Sequence, residues 1–299
     1  LDINDIGFLS APDEMSASGW MTYNYTPDGK SKLINRGEFN FNLWKNWLYA
    51  GRKGYDAGTG ELVWSYNPGH RQGGGGNINS WMQYRGFQES WWGIEYYPES
   101  TQRHETRGGP LISEPATYGG WFGGQTDSRK TLTLSLDGNH FRDVEQNHST
   151  NLTLGGHWNQ SSAVNHDVSV TFSNRIDDTQ YLETVNLSER PGGLGIGGLS
   201  YVFAKIHQQT LNLTLRTNLL FSRNKSLELY LQPFITTGDY TNARELRTPD
   251  TYDLVTYGEP GYRAQDFDFR YVSANLNAVY RWEYRPGSTF FLVWTHSRA

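Results

Sequence analysis

The chain reads as all-β, and within that class as a transmembrane antiparallel up-and-down β-barrel with about 12 strands in these residues. Three observations predict this. Apolar and polar side chains alternate over segment after segment, which is the period of a strand and not of a helix. The connections between those segments alternate between short and long. The composition joins 15% aromatic residues to a mean hydropathy of −0.68, as expected when one face of each strand meets hydrocarbon and the other meets water.

The clearest segment is the last. Val272, Ala274, Leu276, Ala278, Tyr280, Trp282 and Tyr284 share one face, and Ser273, Asn275, Asn277, Val279, Arg281 and Glu283 share the other. Arg285-Pro286-Gly287-Ser288 then supplies a tight turn, with Pro set for the second position and Gly free to adopt positive φ. The chain returns through a Phe-, Leu-, Val- and Trp-rich run to Thr295. Aromatics gathered beside the turn match the interfacial girdle of a membrane strand.

Earlier segments repeat the pattern. A first strand over residues 18–25 ends at Pro27-Asp28-Gly29-Lys30, a turn signal. A second, 31–47, sets Phe39, Phe41 and Leu43 against Glu38, Asn40 and Asn42. A long connection, 48–76, closes with Gly73-Gly74-Gly75-Gly76. Strands over 77–85 and 87–97 flank a short turn at Gly86, and a long connection follows to residue 117. Further pairs flank Thr126-Asp127-Ser128-Arg129, Asn159 to Asn165, and Ser222-Arg223-Asn224-Lys225. Long connections are expected over 190–198 and 238–264. Loops sorted by parity are the connectivity of outer-membrane barrels, so residues 1–299 read as one domain.

Composition removes several alternatives. A charge of −5 argues against a nucleic-acid surface. No cysteine is present, which leaves neither disulfides nor thiolate metal sites. Asp177-Asp178 and Asp266/Asp268 lack the spacing of a calcium loop, and His104, His140, His148, His157, His166 and His207 lack a zinc-protease spacing, so no metal or cofactor is expected. Gly193-x-Gly195-x-x-Gly198 matches a dinucleotide fingerprint in letters only, because a strand and not a helix follows it. No nucleophile elbow is visible, and the chain is expected not to be an enzyme. Leu1-Asp2-Ile3-Asn4 carries no signal peptide, so export would imply a processed start.

Charged residues on wet strand faces are the candidate lumen or ligand residues: Arg216, Glu228, Arg281 and Glu283, with Arg107 in the defined turn Thr106-Arg107-Gly108-Gly109-Pro110. The alternative for the strand charges is structural pairing between neighbouring strands, and for Arg107 a loop anchor.

Asn4-Asp5-Ile6-Gly7-Phe8-Leu9, Thr106-Arg107-Gly108-Gly109-Pro110-Leu111, Asp127-Ser128-Arg129-Lys130, Gln232-Pro233-Phe234, Gly238-Asp239-Tyr240 and Arg281-Trp282-Glu283-Tyr284-Arg285-Pro286-Gly287-Ser288-Thr289 together carry a resemblance. They resemble the outer-membrane β-barrel domain that follows a family-9-type carbohydrate-binding domain in Gram-negative bacteria. The resemblance implies the C-terminal part of a larger barrel located in the bacterial outer membrane. The barrel reading itself makes a porin-like channel or transport protein for small polar solutes or glycans the first expectation, and a non-conducting anchor for an attached domain or envelope complex the alternative. Outer-membrane lipid and other envelope proteins are the implied partners. Trp64, Tyr66 and Trp121 are then candidates to stack on sugar rings from outer loops, with an interfacial girdle as the alternative.

Overall fold

The computed structural model describes residues 14–298, apart from 28, 30, 57, 58 and 103. The Asn4–Leu9 motif lies outside the described residues, as do Asp28 and Lys30 of the first turn. The strands are β1 (Glu14–Tyr25), β2 (Ile34–Leu48), β3 (Arg52–Tyr55), β4 (Leu62–Tyr66), β5 (Arg71–Tyr84), β6 (Glu89–Tyr97), β7 (Ser100–Gln102), β8 (Ile112–Glu114) and β9 (Thr117–Gln125). They continue as β10 (Leu132–Asp143), β11 (His148–Ser161), β12 (Val164–Asn186), β13 (Leu199–Ser222), β14 (Lys225–Leu246), β15 (Leu254–Thr256), β16 (Phe269–Arg285) and β17 (Ser288–Arg298). One 3-10 turn, Ala264–Phe267, precedes β16.

A 13-stranded antiparallel sheet runs in the order β1-β2-β5-β6-β9-β10-β11-β12-β13-β14-β16-β17, with β15 added beside β14. Each alternating segment thus pairs with its sequence neighbour, as the hairpin signals predict. Two small hairpins, β3-β4 and β7-β8, stand on the long connections.

The barrel expectation is corrected at the two ends of this order. Among the described residues, β1 pairs only with β2 and β17 only with β16, so the sheet is open. Hydrocarbon offers nothing to hydrogen-bond an exposed sheet edge, so only closed β-structures span it. Without closure there is no wall for a channel and no spanning unit for an anchor. The lipid partner, the outer-membrane location and the porin-like reading are corrected with it. No helix among the described residues is long and apolar enough to cross a membrane.

Two local expectations also change. Gly73–Gly76, read as the end of a loop, lies inside β5. A Cβ at Gly75 would sit 2.7 Å from the Trp44 ring, so the run remains a strand that leaves space for the facing indole. The loop parity breaks once, because only residues 144–147 join β10 to β11.

The dry core gathers at the long-connection end. β12, β13 and β14 are 23, 24 and 22 residues long, about 75 Å at ~3.3 Å per residue. Their ends meet the connections in small buried clusters. One holds Ile112, Ile196, Tyr201, Phe203 and Leu246, and a second holds Leu48, Tyr66 and Leu111. Along the rest of the sheet the apolar face is exposed, at residues such as Phe41, Ile94, Leu134, Leu154 and Leu211. The opposite face carries cross-strand polar ladders. Asn42 donates to Asn77 at 2.8 Å, Asn151 to Asn139 at 2.9 Å and Asn218 to Asn165 at 2.8 Å.

Candidate functional site

Pairing register decides which polar residues meet. β11 and β12 fold back on each other, opposing His157 to Asp167, and β10 opposes Thr133 to His157 while β13 opposes Arg216 to Asp167. One row across four strands therefore reads Thr133, His157, Asp167, Arg216. The next row on the same face reads Ser135, Gly155, Ser169, Thr214. Between these rows lies a cleft of about 490 Å³.

His157 Nδ1 and Asp167 Oδ1 are 2.6 Å apart. That hydrogen bond, with the adjacent negative charge, raises the imidazole above its ordinary 6.5. The two side chains are 41% and 47% exposed, so solvent screening leaves the pair a small stabilising effect. Its sign follows from the raised folded value. Stability from the pair is complete below the unfolded pKa and is lost as pH rises through the folded one. A proton NMR titration should place the His157 midpoint above 6.5, and Asp167→Asn should return it toward that value. A midpoint unmoved by that substitution would refute the pairing.

Arg216 completes the row. Its guanidinium lies over the Tyr230 ring, 5.2 Å from the centroid, and has no hydrogen bond or ion pair among the described residues. Thr133 is 8% exposed and its Oγ1 is buried without a hydrogen-bond partner. The arrangement is a polar shelf that holds a guanidinium without a direct ion pair beside hydroxyls without a hydrogen-bond partner. A Ser-His-Asp relay would need a hydroxyl bonded to His157; the ring instead bonds Asp167 and the Asn159 side chain.

The other sequence candidates are dispersed. Glu228 lies exposed on the polar face of β14, opposite Asn218. Arg281 reaches Glu283 at 3.5 Å along the same strand, so this pair does not bridge neighbouring strands. Arg107 adopts a φ of 52° and places its guanidinium over Tyr181. Around it Thr106 Oγ1 donates to the Pro110 carbonyl at 2.6 Å and Leu111 N donates to Tyr66 Oη at 3.0 Å. The Thr106–Leu111 turn is therefore a loop anchor.

The three aromatic candidates are used internally. Tyr66 is buried, and burial pushes its phenol up to about 12. Trp64 packs on Tyr66 with ring centroids 5.3 Å apart. Trp121 is in β9 and not in a loop, and its ring fills the space above Gly93, where a Cβ would come within 2.2 Å.

Sequence reasoning passed over two groups. His157 was one of several scattered histidines, although a hairpin folded near residue 162 would have paired it with Asp167. Glu245 carried no sequence signal at all. It is 1% exposed and accepts hydrogen bonds from Leu194 N at 2.9 Å, Gly195 N and Ser200 Oγ at 2.7 Å. The 193–198 glycine motif does cradle an anion with backbone amides, and that anion is the chain's own carboxylate.

Fold and site define an open, antiparallel meander sheet with one apolar and one polar face. The chain belongs to the family described as Domain of unknown function (DUF5916), whose model matches residues 1–299. This corrects the resemblance drawn from the motifs: the matching family's description names neither a membrane barrel nor a carbohydrate-binding neighbour. No curated protein and no solved structure matches the chain.

Proposed function

We propose that this domain is a strand-pairing assembly module, a binding protein and not an enzyme, whose two free edges are continued by polypeptide. One observation carries the reading: β1 and β17 are long edge strands whose central residues carry none of the usual guards. Natural proteins protect free edges with lysines, prolines, bulges or very short strands. From Met15 to Tyr25 there is no charged residue and no proline, and the β1-β2 register is unbroken. From Ser288 to Ser297 there is likewise no Lys, Arg, Asp, Glu or Pro. Among the described residues no strand pairs with the outer side of β1 or β17.

The occupant that fits is an extended strand of alternating apolar and polar residues, running antiparallel to the edge it joins. Met21 and Tyr23 continue the apolar row of Phe41 and Phe39, and Leu292 and Trp294 continue that of Tyr280 and Ala278. A partner strand therefore has to show the same two faces in the same phase. Backbone hydrogen bonds would supply affinity, and the side-chain pattern would supply specificity.

Hydrogen exchange on the intact protein tests this. Edge amides of β1 and β17 should be protected to a degree approaching that of β12 and β13. Rapid exchange of the outward amides on both edges, with β12 and β13 still protected, would end the proposal.

A further inference from the structure

We infer that the cleft between β10 and β13 is a binding site for a small oxyanion of the phosphate or carboxylate class, anchored by Arg216. Asp167 makes its short contact with His157 at 2.6 Å and no ion pair with Arg216, so the Arg216 donors are not spent within their own row. Several arginines elsewhere on the molecule are taken up by carboxylates, among them Arg129 by Asp127, Arg190 by Glu183 and Glu259, and Arg281 by Glu283. Arg216 is instead held on an aromatic face, which orients the planar fork while leaving its N–H donors unspent. A preoriented guanidinium matches two oxygens of one anion.

The second line is the hydroxyl lining. Ser135, Ser169 and Thr214 share the cleft, and their side chains have no hydrogen-bond partner among the described residues. Together with Thr133 they offer rotatable O–H donors of the kind that complete an oxyanion's coordination. The third line is space. Gly155 lies between Ser135 and Ser169 in the row, and a Cβ there would fall 2.3 Å from Ser135 Oγ. The missing side chain leaves that space to the Ser135 hydroxyl, which lies in the cleft with Ser169 and Thr214. Asp167 is the one anionic group in the lining, and its bond to His157 limits its repulsion of a bound anion.

The test is an NMR titration of the intact protein with inorganic phosphate and, separately, with acetate at constant ionic strength. Saturable shifts in β10–β13 resonances at about millimolar concentration are expected. Arg216→Gln should weaken binding at least about tenfold, while Arg281→Gln should leave it unchanged. Thr214→Val keeps shape and removes one donor, and should weaken binding by a factor of about three. Saturation by acetate alone assigns the carboxylate class, and saturation by phosphate alone assigns the phosphate class. Absence of saturation by either anion, or equal affinity in the Arg216→Gln protein, overturns the inference. Should Arg216→Gln lose the strand signal in circular dichroism, Thr214→Val decides, and unchanged affinity there counts against the site.

Discussion

Replacing Glu245 by alanine should destabilise the domain by about 3–5 kcal/mol, because each buried donor left unpaired costs about 1–3 kcal/mol. Three donors converge on that carboxylate: Leu194 N, Gly195 N and Ser200 Oγ. Ser200 is fully buried, so its hydroxyl cannot turn to water when the carboxylate is removed. Glu245→Gln should fall between, keeping the shape but losing the charge that strengthens all three bonds. Urea unfolding read by tryptophan fluorescence measures both. If Glu245→Ala unfolds within about 1 kcal/mol of the parent, the cradle is not what fixes the 193–198 loop.

The next largest effect should come from Phe203→Ala, at about 3–5 kcal/mol. Phe203 is 0% exposed and packs among Ile112, Ile196, Tyr201 and Leu246, with Tyr181 edge-on to its ring. Leu211→Ala, only a few residues along the same strand, should cost less than about 1 kcal/mol in the isolated domain. Leu211 is on the open apolar face and 47% exposed. This pair locates the dry core at the long-connection end of β13 instead of along the sheet. Equal losses at the two positions would contradict that location.

Much of the sheet was legible because strand period is a local property. The alternation of 272–284 predicted β16 and its faces, and the Pro286-Gly287 turn predicted its pairing with β17. Phe39, Phe41 and Leu43 against Glu38, Asn40 and Asn42 predicted the faces of β2 in the same way. The glycine run 73–76 misled, because glycine signals a loop unless a facing indole requires the space. Arg216 could be singled out as a charge on a wet face. Its neighbours His157 and Asp167 could not, because two strands and a turn must be placed in register before they meet.

Closure was a further matter. Alternation and loop parity are the same in an open meander and in a closed one, since both are built from successive hairpins. Whether β1 meets β17 depends on accumulated twist, shear and strand number, none of which is written into any one segment.

What the sequence by itself determined, then, is the order of the strands, the two chemically distinct faces and the tight turns. Each of these rests on residues within a few positions of one another. Only the tertiary structure decided that β1 and β17 do not pair with each other among the described residues, that Glu245 fills the glycine cradle, and that Thr133, His157, Asp167 and Arg216 form one row. Those are relations between residues far apart in the chain, and cross-strand register is the physical quantity that fixes them.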